Sequence, residues 1–310
     1  MPPSRLSPSS AALWSQCSRR WWLKYVDDLP EPPPGEPAVV GTFVHRILEL
    51  LLDDPSAERT IERAKVHARS AWDEITATDD WVALELDDAG GRRFRQRAWS
   101  TVEAYFSMGS PADVVPVARE LAVEAEVAGV PFRGFIDLVE ADPAGDGMVV
   151  ITDYKTGRPP VRGKPWTAER EREKLLQPHW YAAALAAMGE HRPSRARLLF
   201  FTAIEDGQGR YRWQTAELGA EVTEATMDDA GAELATRWSE IQVALDAGGA
   251  DASPGPLCGW CPYVDVCDEG RAEVERRWSE ISAVTGERKM RADSPAVIQL
   301  GLADAVPAVA

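Results

Sequence analysis

The four cysteines constrain the fold of this 310-residue chain more than any other feature of its sequence. Cys258, Cys261 and Cys267 form a C-x2-C-x5-C cluster, while Cys17 stands alone near the other end of the chain. A compact trio and one remote thiol, with no cysteine left over, indicate four thiolate ligands of one site. The entropic cost of closing so long a loop grows only with the logarithm of its length. The pattern therefore predicts that one strong site joins the two end segments.

The spacing of the cysteines does not determine whether the site binds an iron–sulfur cluster or zinc, or acts as a redox pair. Four thiolates suit an iron–sulfur cluster and equally suit structural zinc. A redox pair formed by Cys258 and Cys261 is a third interpretation. Such pairs open a helix in a thioredoxin-like fold, whereas this one follows Pro254-Gly255-Pro256, far from any βαβ pattern. Metal ligands are favoured over disulfides because cytoplasmic proteins keep their thiols reduced.

Composition predicts a cytoplasmic globular protein. Hydrophobic residues make up 45% of the chain, enough for a substantial core. The sequence has no apolar run of about 18 residues, so no membrane span and no membrane partner are expected. The first residues, Met1-Pro2-Pro3-Ser4-Arg5, lack the apolar segment of a signal peptide.

The net charge of −16 argues at first against a nucleic-acid partner, since Lys and Arg drive phosphate binding. The distribution of charge weakens that objection, because the basic residues occur in groups. These groups are Arg19, Arg20 and Lys24; Arg92, Arg93, Arg95 and Arg97; and Arg158, Arg162 and Lys164.

The order of predicted elements indicates an α/β protein. Helices come first, then a strand meander, a long helix and two more strands, which favours an α/β core with a helical N-terminal cap over a repeated βαβ series. Ser7 or Ser9 is expected to cap the first helix, the proline-rich segment 29–37 to be a linker, and Pro178 to kink or restart its helix. The predicted helices are 8–26, 40–53, 57–76, 92–107, 168–188 and 222–247, and the strands are 120–128, 131–140, 148–155, 196–204 and 210–216.

Two neighbouring strands of this meander carry the polar residues most typical of a reactive site. Asp153 and Lys155 lie two apart in an apolar strand, so alternation puts both side chains on one face, with Tyr154 on the other. Asp137, in Gly134-x-x-Asp137, can reach the same place from the preceding strand. Carboxylates suit Mg²⁺ or Mn²⁺, and such an ion with an ammonium suits a phosphodiester. Either motif alone commonly ends a strand at the surface; their combination favours a site.

Four further residues fit this interpretation, although each taken alone is common. Gln177 and Tyr181 lie one turn apart on the long helix and therefore share a face. His45 lies on the second predicted helix. Glu124, in the strand before Asp137, is a further acid for the metal.

Taken together, these motifs resemble the RecB-type branch of the PD-(D/E)XK nuclease superfamily, over roughly residues 5–270. They are similar in particular to its iron–sulfur members, which include a CRISPR-associated exonuclease and the nuclease domains of AddAB-type helicase–nucleases. The motifs that carry the resemblance are Leu6-Ser7-Pro8-Ser9-Ser10 with Cys17, Gly41-Thr42-x-x-His45, Gly134-x-x-Asp137, Asp153-Tyr154-Lys155-Thr156-Gly157, Gln177-x3-Tyr181 and the cysteine trio.

The resemblance implies a restriction-endonuclease-like core, a central mixed sheet flanked by helices, with the C-terminal segment joined to the N-terminus by a metal cluster. It implies one domain over residues 1–288, and the composition of 289–310, rich in Ala, Pro, Asp and Val, predicts a disordered tail. Within the domain, 5–37 is the cluster helix and linker, 38–110 the cap, 115–250 the catalytic core and 251–275 the cysteine segment.

The resemblance also implies roles for individual residues. His45, Asp137 and Asp153 match metal ligands, with the Tyr154 carbonyl as a further ligand, and Lys155 matches the catalytic lysine. Gln177 and Tyr181 match a motif that lies near the active site. Cys17, Cys258, Cys261 and Cys267 match the ligands of a [4Fe–4S] cluster, so the resemblance favours iron over zinc.

The implied activity is a Mg²⁺- or Mn²⁺-dependent exonuclease that acts on single-stranded DNA ends in repair or recombination. The alternative is a catalytically inactive DNA-binding subunit of a helicase–nuclease assembly, which an intact His45, Asp137, Asp153 and Lys155 set disfavours. The sequence has no G-x4-G-K-[ST] phosphate loop, so any helicase is expected to be a separate chain.

Overall fold

The structure, a computed structural model, describes residues 3–145, 147–160, 165–189 and 191–285. The chain forms two compact units. One consists of Pro33–Ala235, and the other combines Met1–Pro32 with Thr236–Ala310. The first boundary falls inside the predicted proline-rich linker, and the second unit holds all four cysteines. The predicted tail 289–310 lies outside the described residues, and the internal boundaries proposed for one domain stay a prediction.

Nine α-helices lie in the described part of the chain. Three of them were not predicted as separate helices: α2 is separate from α1, and α5 and α9 have no predicted counterpart. The helices are α1 (Pro8–Gln16), α2 (Ser18–Tyr25), α3 (Glu36–Asp53), α4 (Ile61–Thr76), α5 (Asp79–Val82), α6 (Asp88–Phe106), α7 (Pro165–Met188), α8 (Glu224–Ala247) and α9 (Asp268–Thr285).

The larger unit is built around a five-stranded mixed sheet in the order β1-β2-β3-β4-β5. Only β3 and β4 run parallel, and α7 makes the crossover between them, as a parallel pair requires. The strands are β1 (Pro116–Val127), β2 (Val130–Ala141), β3 (Met148–Lys155), β4 (Arg192–Glu205) and β5 (Tyr211–Glu221). A mixed sheet flanked by helices confirms the predicted fold class.

Helices cover both faces of the sheet. Tyr154 points from β3 towards α6, where its ring lies 5.6 Å from that of Tyr105. Its neighbour Lys155 points the other way and donates a hydrogen bond to Gln177 on α7, as strand alternation requires. On the α6 side, α3, α4 and α6 bury one apolar cluster that includes Phe43, Ile47, Leu48, Leu51, Phe94, Val102 and Phe201.

Several helix boundaries differ from the predicted ones for local reasons. Cys17 adopts an extended conformation (φ −166°, ψ 108°), which divides the predicted helix 8–26 into α1 and α2. Ser7 is the N-cap of α1, as expected. Helix α3 begins at Glu36, earlier than predicted, because Pro37 occupies the first turn, where its missing N–H costs nothing. Pro178 lies inside α7, which continues through it without a break.

The smaller unit packs its aromatic residues around α1 and α2. The rings of Trp14 and Trp21 meet edge to face at 5.3 Å, and Trp14 Nε1 donates to Glu240 (2.8 Å). Tyr263 donates its hydroxyl proton to the Leu29 carbonyl (3.0 Å), which anchors the cysteine segment to the chain after α2. In the described part of the chain, no helix is both long and apolar enough to cross a membrane.

Candidate metal centre and thiol pocket

The candidate site lies where β2 and β3 separate. The two strands pair from Leu138 opposite Thr152 to Ala141 opposite Val149. Asp137 and Asp153 are the first residues beyond that ladder. The main-chain N–H of Tyr154 donates instead to Asp137 Oδ2 at 2.6 Å. The carboxylate therefore satisfies a backbone donor that the separation leaves without a strand partner, and this fixes the Asp137 side chain.

Three side chains converge at this separation with the spacing of a metal site. The ligand atoms of His45, Glu120 and Asp137 all lie within 4.8 Å of one another. His45 comes from α3, where its ring stands edge to face against Tyr154, with centroids 5.7 Å apart. Its Nδ1 is 3.7 Å from Asp137 Oδ1. An imidazole and two carboxylates offer the nitrogen and oxygen ligands that divalent ions accept.

The acids at this centre are buried close to one another, and their pKa values are raised as a result. Burial raises the pKa of Asp137 and that of Asp153 to about 6 each. Burial, with the nearby Asp137 charge, raises the pKa of Glu120 to about 7. Burial lowers the pKa of His45, which favours the neutral imidazole that binds metals. A bound cation would remove the mutual repulsion of these carboxylates, so the donor set fits a divalent metal ion.

Lys155 and Gln177 connect this centre to α7. Lys155 Nζ lies 2.6 Å from Asp153 Oδ2 and donates to Gln177 Oε1 at 3.1 Å. The amide nitrogen of Gln177 donates to Asp153 Oδ1 at 2.7 Å. Gln177 therefore holds the ammonium and the carboxylate in fixed relative positions, one on each end of its amide group.

Tyr181 lies one turn further along α7 and packs against β2 at Gly134, three residues before Asp137. Burial and the nearby charge of Asp153 raise the pKa of its hydroxyl. A Cβ added to Gly134 would stand only 2.6 Å from Tyr181 Cε1. Any larger residue at position 134 would displace the ring, which explains why a glycine begins the Gly134-x-x-Asp137 motif.

Glu124, which the sequence suggested as a further acid for the metal, does not lie among these residues. Glu120 of the same strand lies there instead. Glu124 is exposed on β1, opposite Arg133, and four residues along a strand cover about 13 Å. Glu120 faces Asp137 in the β1–β2 register, between the pairs Arg119–Leu138 and Leu121–Ile136. Its φ of 44° lies in the left-handed region, which is rare for a residue with a side chain and is frequent at functional sites.

The four cysteine thiols are free and line one pocket of the smaller unit. Backbone N–H groups donate to three of the sulfurs: Ser253 to Cys17 (3.5 Å), Gly255 to Cys258 (3.4 Å) and Gly270 to Cys267 (3.3 Å). Burial raises the pKa values of Cys261 and Cys267. A metal would displace their protons, and the N–H donors would then stabilise the thiolates.

The four thiols do not form a compact ligand group in the described residues. No three of these four thiols have sulfur atoms that all lie within 4.8 Å of one another in the described residues. Tetrahedral zinc, with Zn–S bonds of about 2.3 Å, would draw its thiolates to roughly 3.8 Å. Four thiols that line one pocket offer the ligands that either zinc or an iron–sulfur cluster takes, so the choice of iron stays a prediction from the resemblance.

Comparison with known proteins identifies the sequence as a whole. The sequence model of the PD-(D/E)XK nuclease superfamily matches residues 5–268. A search of curated proteins finds no match. Among solved structures, a "Putative exonuclease" from Eubacterium rectale is 12% identical, with 87% of this chain and 88% of that chain covered and a TM-score of 0.44. SSO0001 is 14% identical, with 84% and 93% covered and a TM-score of 0.28. The identification rests on the superfamily match.

Proposed function

The chain belongs to the PD-(D/E)XK nuclease superfamily, and from that premise we propose that it is a metal-dependent nuclease that hydrolyses phosphodiester bonds in DNA. The observation that carries the proposal is the convergence of His45, Glu120 and Asp137 within 4.8 Å, beside the Asp153–Lys155 pair. The family accounts for a nuclease fold; the intact donor set supports an active enzyme over an inactive DNA-binding subunit.

The residues of the centre divide into metal ligands, one cationic group and positioning residues in the proposed reaction. His45, Glu120, Asp137 and Asp153 would hold Mg²⁺ or Mn²⁺, with the Tyr154 carbonyl as a further ligand. A metal held there would supply a bound water of lowered pKa and would offset negative charge on the scissile phosphate. Lys155 presents an ammonium that orients the attacking water or donates to the phosphate oxygen as negative charge develops. Gln177 holds Lys155 and Asp153 in fixed relative positions, and Tyr181 lies beside Gln177 on the same face of α7.

The finer parts of the proposal come from the sequence motifs. Their resemblance to RecB-type enzymes favours an exonuclease acting on single-stranded DNA ends, in the cytoplasm, in repair or recombination, with any helicase supplied by a separate chain. The positive groups of Arg92, Arg93, Arg95 and Arg97 on α6 support a nucleic-acid substrate despite the net charge of −16.

Incubation with end-labelled DNA tests the proposed activity. The protein, purified without oxygen, is expected to shorten single-stranded DNA in Mg²⁺ or Mn²⁺ and to lose all cleavage in EDTA. Duplex DNA with blunt ends and single-stranded RNA of the same sequence serve as competing substrates. Binding of DNA without cleavage in either metal would instead support the inactive subunit, and preferred cleavage of RNA would overturn the choice of DNA.

We further propose that Cys17, Cys258, Cys261 and Cys267 hold a [4Fe–4S] cluster that joins the two ends of the chain. The free thiols around one pocket and the three N–H···S contacts support a metal site with four thiolate ligands, and the resemblance to iron–sulfur members favours iron over zinc. Cysteine ligands and hydrogen bonds to sulfur are the usual surroundings of such clusters. The Cys258–Cys261 pair lies in a short 3₁₀ segment, Pro256–Trp260, and the turn after it, which does not match a thioredoxin-like redox helix.

Cys17→Ser is expected to remove the cluster and to destabilise the smaller unit. Iron and sulfide analysis with visible absorption should give four irons per chain for the unchanged protein and far less for the variant. Thermal unfolding of the Cys17→Ser variant should begin at a lower temperature than that of the unchanged protein, because metal binding contributes to folding. Val266→Ala, an exposed neighbour of Cys267, is the control and should keep its iron. One zinc per chain in place of iron would overturn the cluster.

A further inference from the structure

A polar groove of about 450 Å³ lies in the larger unit, at the carboxyl end of the parallel pair β3–β4. Its floor is formed by the residues that directly follow Lys155, by the end of β4 and by Tyr211 at the start of β5. The first turn of α3 and one face of α6 form its walls. Ligands of open α/β sheets commonly bind in a crevice at this edge.

Three arginines outnumber the two carboxylates that line this groove, Glu36 and Glu205, so its net charge is positive. Arg93 and Arg97 lie one turn apart on α6 and so share a face, and Arg158 comes from the segment after β3. Arg97 pairs with Glu36 at 3.6 Å. Within the described part of the chain, neither Arg93 nor Arg158 has an ion-pair partner, and both are exposed. Their guanidinium groups are therefore available to an anionic ligand.

The groove begins next to the metal centre. Thr156, part of its lining, is the residue after Lys155. A Cβ added to Gly41 would lie 2.9 Å from Thr156 Oγ1, so α3 meets the groove at that residue. His45 follows Gly41 by one turn of the same helix, a rise of about 6 Å. A polymer bound with one phosphate at the metal would thus extend directly into the groove.

We propose that this arginine groove binds the sugar–phosphate backbone of the DNA strand next to the bond that is cleaved. The inference rests on the proposed nuclease function and adds to it a binding subsite with named residues. Arginine forms paired, charge-assisted hydrogen bonds with phosphate oxygens. Tyr211, half-buried at the rim, presents an aromatic ring on which a sugar or a base can pack. These contacts recognise the backbone and carry no base sequence.

The double variant Arg93→Ala/Arg158→Ala tests the groove. Its matched control, Arg69→Ala/Arg192→Ala, removes the same charge from exposed positions outside the groove. Binding of a fluorescent single-stranded oligonucleotide is measured by anisotropy against salt concentration, with Lys155→Ala added to both to prevent cleavage. The groove variant should bind about tenfold more weakly at low salt, and its log–log salt slope should fall by about 1.4, since each lost phosphate contact removes about 0.7.

A comparison of substrates separates this proposal from the proposed activity itself. With Lys155 intact, the groove variant should show a raised KM for a long oligonucleotide and an unchanged rate on a dinucleotide, which has no phosphate to reach the groove. Equal losses on both substrates, or the same salt slope as the control, would overturn the groove while leaving the nuclease intact. Failure of the unchanged protein to cleave any DNA would overturn the proposed function instead.

Discussion

Lys155→Ala is expected to reduce metal-dependent DNA cleavage by about 10³-fold, the loss typical of removing a group that stabilises transition-state charge. Lys155 supplies an ammonium beside the candidate metal centre, 2.6 Å from Asp153 and hydrogen-bonded to Gln177. Alanine removes that charge and leaves the fold in place, because the lysine side chain is one-third exposed. End-labelled single-stranded DNA, followed over time at saturating Mn²⁺, measures the loss.

A second interpretation of the same loss can be tested with the same variant. Lys155 lowers the pKa of Asp153 against the larger effect of burial, so its removal would also make Asp153 harder to ionise. If that were its whole contribution, the variant would regain activity at higher pH, where the carboxyl is ionised anyway. We expect no such recovery. Lys65→Ala, which removes an exposed lysine on α4, is the control and should cleave normally. Recovery to within about tenfold at high pH would contradict a direct role.

The residues on β3 could be predicted because the sequence determines their relative positions locally. Alternation along a strand is enough to put Asp153 and Lys155 on one face and Tyr154 on the other. The shared helix face of Gln177 and Tyr181 follows in the same way from helical periodicity. In the structure, α7 then brings Gln177 against both β3 residues. No long-range register needs to be known for any of these statements.

Glu120 could not be chosen over Glu124 by such reasoning. Both acids are even-numbered positions of one strand, so alternation gives them the same face. Which of them meets Asp137 depends on the β1–β2 register and on the positive φ of Glu120. Register is a long-range property, and a left-handed glutamate has no sequence signal. The strand was predictable from the sequence, while the acid of that strand that lies beside His45 and Asp137 was not.

The predicted helix 8–26 shows how a site can override local propensity. Nothing in the residues around Cys17 marks a helix end, since neither glycine nor proline is near it. The extended backbone at Cys17 instead turns its thiol towards the pocket, where the N–H of Ser253 donates to it. That contact joins residues 236 positions apart, which a pattern of local periodicity does not contain.

Glu140→Ala is expected to destabilise the larger unit by about 3 kcal/mol, the lower end of the cost of breaking a buried ion pair. Glu140 is 7% exposed and forms an ion pair with Arg197 of β4. The buried Thr152 hydroxyl donates to Glu140 (2.9 Å) and accepts from Arg197 Nε (2.9 Å). The three residues link β2, β3 and β4 immediately beside the separation that carries Asp137 and Asp153.

Removal of the glutamate leaves a half-buried guanidinium that still pairs with Glu217 at 3.3 Å and donates to Thr152, which is why the expected cost is at the lower end. Urea unfolding gives the free energy, with the exposed Glu126→Ala on the same sheet as a control that should change it by less than about 0.5 kcal/mol. The double variant Glu140→Leu/Arg197→Leu should recover most of the loss, because apolar residues need no partner. A double variant as unstable as the single one would show that side-chain packing, and not the ion pair, holds β2, β3 and β4 together at this point. The metal centre would then depend on packing, and metal affinity would fall equally in both variants.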